Sequence, residues 1–138
     1  MMDRTDILNF LGFMRKGGFI AAGAEETAEK ALVGKVKLIV LADDVSANTA
    51  KWMASVAEQK EVSVIRPGFT KAEMGGALGI GECAALAACD TGLAITLSKK
   101  LEMPELTQQL ELKLEREKRR KAKKLAGKSK ANNTRRGK

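Results

Sequence analysis

The spacing of apolar residues changes period several times along this chain, and one stretch sets the frame for the others. Lys37 to Ala42 (KLIVLA) holds an unbroken apolar run, β-branched at its centre and followed at once by Asp43-Asp44-Val45-Ser46-Ala47-Asn48-Thr49. So short a run without polar alternation fits a strand buried on both faces. Such a strand needs helices on both sides. Upstream, Ile7, Phe10, Leu11 and Met14 form one helical face, with Thr5 or Asp3 as cap and Gly17-Gly18 as stop. Phe19-Ile20-Ala21 reads as a short strand. Gly23 then opens a second helix, with Ala24, Ala28, Ala31 and Leu32 on one face and Gly34 at its end.

Downstream, Ser46 or Asp44 caps a third helix with Ala50, Met53, Ala54 and Ala57 toward the core, and Trp52 falls off that face as a rim residue. Val62 to Ile65 reads as a strand closed by Pro67-Gly68. Thr70 and Glu73 have the spacing of a capping box, starting a short helix that Gly79 stops. Cys83 to Ala88 reads as a small-residue strand, and Asp90 caps a helix with Leu93, Leu97 and Leu101 that runs until Pro104. Four strands alternate with five helices, which predicts an α/β fold, an α/β/α sandwich.

Beyond Pro104 the stripe Leu106, Leu110, Leu114 predicts a further helix lying on the domain or on a partner. From Arg116 the stripe lapses into the charge run Lys118 to Lys124, then a polar stretch from Gly127 to Lys138 whose composition cannot offset its ordering entropy. The expected organisation is a domain over 1–103 and a basic extension over 104–138, partly helical and then disordered.

Charge sharpens that division. Glu111 to Lys138 contains 13 Lys/Arg and 3 Glu, net +10, while the other 110 residues hold 12 basic and 14 acidic, net −2, together the chain's +8. The basic excess is therefore a property of the tail, and its density is that of a nucleic-acid arm. Arg119, Arg120, Lys121, Lys123 and Lys124 are its candidate phosphate contacts. The arm has no aromatic for stacking on bases and says nothing of sequence specificity.

The chain has no His and two Cys, which excludes the usual triads and makes a metal site or other cofactor an unfavoured reading. Cys83 and Cys89 read as small core residues of a reducing cytoplasm, and Met1-Met2-Asp3-Arg4 leads into an amphipathic pattern rather than a secretory core. The glycines of Gly75-Gly76-Ala77-Leu78-Gly79-Ile80-Gly81 follow a helix and precede a strand, the reverse of a dinucleotide loop, and no GK[ST] occurs. They read as a tight turn with exposed donors. At Gly23 a helix N-terminus could favour an anion, but Glu25 and Glu26 repel phosphate there.

Arg15-Lys16-Gly17-Gly18, the eleven-residue interval from Gly23 to Gly34, the block Lys35 to Thr49 and Asp90-Thr91-Gly92-Leu93-Ala94 together resemble the ribosomal protein L-seven-Ae superfamily of kink-turn RNA binders. The similarity is greatest to its small bacterial YlxQ-like branch and covers about residues 5 to 101. It implies a three-layer α/β/α sandwich with a mixed four-stranded sheet. It also implies that Gly23, Ala24, Glu25, Glu26 and Glu29 face a distorted RNA groove, with Glu26 as the guanine-reading acid and Lys30 beside them in the RNA-binding set. Gly79, Ile80, Gly81 and Glu82 would then pack on the kink, with Arg15 and Lys16 in the same RNA-binding set. Two positions depart from the family pattern: Glu25 replaces an uncharged donor, and Glu29 a phosphate-facing lysine. Lys30, one residue along, is rotated about 100° around the helix.

The expectation is a non-enzymatic, cytoplasmic, monomeric RNA-binding protein of the ribosome or another RNP. Its partners would be rRNA or other structured RNA and RNP proteins, without a membrane. The rival is a protein-interaction module of the same fold that has lost kink-turn binding and docks a basic partner on Glu25, Glu26 and Glu29. A nucleotide-using enzyme lacks the motifs.

Overall fold

The computed structural model describes the backbone of residues 3–136 and the side chains of residues 3–126. Ten elements follow in order: α1 (Arg4–Lys16), β1 (Ile20–Ala22), α2 (Ala24–Leu32), β2 (Leu38–Leu41), α3 (Ala47–Lys60), β3 (Ser63–Ile65), α4 (Lys71–Leu78), β4 (Ala85–Ala88), α5 (Thr91–Lys100) and α6 (Pro104–Arg136). The strands form one mixed sheet in the order β1-β4-β2-β3. Strand β4 lies antiparallel to both β1 and β2, and β2 runs parallel to β3.

Every residue of β2 is buried, and the period of two sends its side chains to two separate cores. Leu38 and Val40 pack with Ile7, Leu11, Met14, Met74, Leu86 and Leu97 beneath α1, α4 and α5. Ile39 and Leu41 pack with Ala31, Met53, Ala57, Ala85 and Ala87 beneath α2 and α3. The sheet residues of the second layer on β1 and β4, Ala21, Ala85 and Ala87, are all alanines.

Predicted caps close the elements. Asp3 accepts from the Asp6 N–H, Ser46 from Thr49 and Asp90 from Leu93. The Thr70/Glu73 box is complete in both directions, and Gly79 ends α4 in the left-handed region. Glu73 also meets the Arg4 guanidinium at 2.8 Å. That hydrogen bond and the Thr70 N–H hold the Glu73 carboxyl below the usual glutamate range.

Some faces differ from the periodic reading. In α2 the buried residues are Thr27 and Ala31, while Leu32 is 72% exposed and Ala24 and Ala28 are half-buried. Helix α2 is only nine residues long and lies on an alanine floor, so its contact stripe is too narrow to include its last residue. Ala54 is exposed for a similar reason: α3 touches the sheet through Met53 and Ala57. Strand β1 begins one residue late, at Ile20, leaving Phe19 at the surface, and Cys83-Ala84 belong to the loop before β4.

Helix α6 is the sixth helix, and Pro104 starts it at the position where a missing N–H costs nothing. It folds back antiparallel on α5: Ser98 and Thr107 share a hydrogen bond at 2.6 Å, and Thr91 donates to Glu117 at 2.9 Å. Leu106 and Leu110 are buried in the α1/α4/α5 core, each worth about 1.5–3 kcal/mol relative to exposure. The first three turns of the extension thus belong to the packed body. From Lys118 to Ala126 every side chain is exposed. The backbone of α6 stays helical to Arg136, against the disorder expected from Gly127; the side chains from Gly127, and residues 137–138 entirely, lie outside the described residues.

Candidate nucleic-acid interface

Strand directions bring four connections to one end of the sheet. β1, β2 and β3 finish there and β4 begins there, because Ala22 and Val40 both sit opposite Leu86. The Gly23 turn and the Gly79–Ala84 loop are therefore neighbours, joined by the Gly23 N–H donating to the Ala85 carbonyl at 2.8 Å. Asp44, on the connection from β2 to α3, accepts from the Lys71 N–H at 2.8 Å, and the Cys83 N–H donates to the Lys71 carbonyl, which fixes that connection and the Gly79–Ala84 loop to the start of α4.

Gly23 has φ +96° and ψ 156°, a conformation that suits glycine almost alone. It lets the chain turn from β1 straight into α2. The second loop depends on a different glycine: a Cβ on Gly75 would stand 2.5 Å from the Gly81 carbonyl oxygen and 2.7 Å from the Glu82 Cα. Only a bare backbone at Gly75 lets α4 support the loop at that distance. Ile80 is half-buried against the core, so it braces the loop as well as presenting an edge outward.

Around the Gly23 turn is an open depression of about 790 Å³, lined by Ala22, Gly23, Ala24, Glu25, Glu26, Glu29, Lys30, Thr49 and Trp52. Glu25, Glu26 and Glu29 are exposed and Lys30 is half-buried. One Glu26 oxygen accepts from the Ala22 N–H at 3.3 Å, which aims the carboxylate back across the turn. Trp52 is 42% exposed. The sequence reading leaves it at a rim, and the packing of α3 beside α2 brings that rim to the depression; its position off the core face of α3 was the available signal.

Gly79, Gly81 and Glu82 are exposed on the neighbouring loop. Arg15 is half-buried with Nη1 enclosed and without a described partner, and its charge is felt at the Cys83 thiol. Lys16 is exposed at the other end of the sheet, near the start of β1. The thiols themselves are quiet. Burial pushes both Cys83 and Cys89 above the ordinary cysteine range, and the Cys83 thiol donates to the Ala85 carbonyl at 3.1 Å. Among the described residues no group of three His, Cys, Asp or Glu could hold a metal ion, and no helix is long and apolar enough to cross a membrane.

Arg119, Arg120, Lys121, Lys123 and Lys124 are not part of this end. Helix α5 leaves the far end of β4 and α6 returns to it, so Thr91 and Glu117 mark where α6 passes the body. All five cations lie beyond that point, at the opposite end of the sheet from Gly23 and Gly79.

Order, mixed pairing and paired loops define a class: three-layer α/β/α proteins with one loop-built end. Residues 6–97 match the model of the Ribosomal protein L7Ae/L30e/S12e/Gadd45 family, and the chain belongs to that family. No curated protein matches it in sequence. Among solved structures it is similar to a Bacillus halodurans protein of unknown function, 22% identical with TM-score 0.64 over 70% of this chain and 96% of that one. It is also similar to the Giardia lamblia 15.5kD RNA binding protein, 18% identical with TM-score 0.59 over 74% and 88% of the two chains. At these identities the likeness is one of fold.

Proposed function

We propose that this chain is a non-enzymatic RNA-binding protein of the ribosome or another RNP, and that its loop end recognises a structured, kink-turn-like RNA. The basic part of α6 adds sequence-independent affinity. The observation that carries this reading is the adjacency of the Gly23 turn and the Gly75-supported loop, a preformed pair of edges beside an open depression. An irregular RNA groove is the fitting ligand, because regular A-form helices close their major groove to side chains. Trp52 adds an aromatic face on which an unstacked base can lie. Family membership supports the same reading, and within the family we favour the YlxQ-like branch.

The three exposed carboxylates favour a second reading, a basic protein partner docked on Glu25, Glu26 and Glu29. Titration of a kink-turn RNA and a straight duplex into the chain ended after Glu117 separates the two. This end point keeps Leu106, Leu110 and the Thr91–Glu117 contact and removes only exposed or undescribed side chains. Preference for the kink-turn is expected; equal or absent binding of both RNAs would favour the protein partner.

A further inference from the structure

The opposite end of the sheet holds a second feature, made by residues far apart in sequence. Where α6 passes the start of β2 lies a cleft of about 270 Å³ lined by Lys37, Lys60, Lys113, Arg116 and Arg120, with Glu61 and Glu117 as its two acids. Five cations thus face two carboxylates. Glu117 is already engaged, 3.1 Å from the Lys37 ammonium and hydrogen-bonded by the Thr91 hydroxyl. Lys60, Lys113, Arg116 and Arg120 make no described ion pair.

Lys113 is half-buried, and desolvation together with the adjacent Lys37 charge makes its ammonium a stronger acid than an exposed lysine. An anion in the cleft would relieve that repulsion. The spacing of the cations is directional as well. Lys113, Arg116 and Arg120 stand at i, i+3 and i+7 of α6, and Lys124 at i+11 continues the row onto the part of the helix that leaves the body. Cleft and arm form one cationic track of about 17 Å by the helical rise.

We infer that this cleft is a second nucleic-acid contact, which takes a backbone phosphate of an RNA segment other than the one at the Gly23 end, and from which the arm continues along that segment. The inference rests on the RNA-binding reading and adds a second, separate footprint to it. The protein then joins two RNA segments at opposite ends of one sheet.

The test uses the full chain and a short, regular RNA duplex. Arg116→Gln removes one exposed cation from the cleft; Lys118→Gln removes one exposed cation from the other side of the same helix. Arg116→Gln should weaken duplex binding roughly tenfold, as for loss of a charged hydrogen bond, and lower the salt slope by about 1. Lys118→Gln should weaken it about twofold or less. Equal losses would mean a diffuse arm without a cleft site and would overturn the inference. Backbone amide shifts in the same titration separate it from the reading on which it rests. The duplex should move Lys37, Glu61 and Arg116. A kink-turn RNA that moves Gly23 to Lys30, with the cleft silent to both RNAs, removes the second contact alone. Silence of both ends toward both RNAs removes RNA binding altogether.

Discussion

The two ends of the sheet are built to opposite electrostatic plans. At the loop end, tight glycine turns hold backbone edges and three exposed carboxylates around an open depression. At the tail end, side chains from the segment just before β2, from α3 and from α6 crowd cations into a cleft with too few acids to pair them. Shape without attraction lies at one end, and attraction without an irregular shape at the other. For a polyanionic ligand the division means that geometry and affinity are supplied by different surfaces, so each can be removed alone.

The largest expected effect is at the tail end. Ending the chain after Glu117 removes eleven Lys/Arg. The slope of log K against log salt should flatten by about 0.7 to 0.9 for each phosphate contact given up, while thermal unfolding changes little. An unchanged slope would show that the arm does not touch RNA. At the loop end the matching change is steric. Gly75→Ala drives a methyl into the Gly81 carbonyl and should cost about 1–3 kcal/mol, as overpacking does, with kink-turn binding lost more than duplex binding. If unfolding and binding are both unaffected, the Gly79–Glu82 loop is not held by that approach.

Smaller effects come from protons, with opposite signs at the two ends. Glu73 has a lowered folded pKa, so its contribution to stability is present above about 4.5 and is lost as pH falls through the folded value. Glu73→Gln should therefore flatten the acid limb of the stability profile measured by denaturant unfolding. Lys113 is a base with a lowered folded pKa, so its charged form destabilises the fold at neutral pH, and the penalty fades as pH rises toward 10.5. Lys113→Met should raise the melting temperature at neutral pH, and its advantage over the parent chain should narrow in alkali. An advantage that is constant with pH would assign the gain to packing instead of charge.

Much of the architecture was legible because it follows from local chemistry. The buried run of β2, the caps at Ser46, Thr70, Asp90 and Gly79, and the helical faces of α1 and α5 depend on neighbours within a few residues. The resemblance likewise indicated the fold, and the family match over residues 6–97 agrees. What stayed hidden depends on how elements meet. A stripe of leucines after Pro104 does not say which surface it covers, and only the return of α6 along α5 brings Lys113 and Arg116 beside Lys37 and Lys60. Trp52 was visible as an aromatic off its core face, yet its place beside Glu25 and Glu29 needed the packing of α3 against α2. Leu32 is exposed and Thr27 buried because hydrophobicity ranks residues, whereas a short helix on a small-residue floor selects by position.

One substitution at the loop end tests the central claim, that RNA lies on this surface despite its acids. Glu29 is exposed and, with Glu25 at i−4, makes a like-charged pair on α2, and neither has a described ion pair. Glu29→Lys turns repulsion of a polyanion into attraction and changes the helical pair from unfavourable to favourable by a few tenths of a kcal/mol. On the chain ended after Glu117, where the arm cannot mask the difference, kink-turn RNA should bind on the order of 1 to 3 kcal/mol more tightly, the range of a hydrogen bond to a charged group, with the melting temperature nearly unchanged. An affinity equal to that of the parent would contradict the account and place the Glu25, Glu26 and Glu29 face with a basic protein partner.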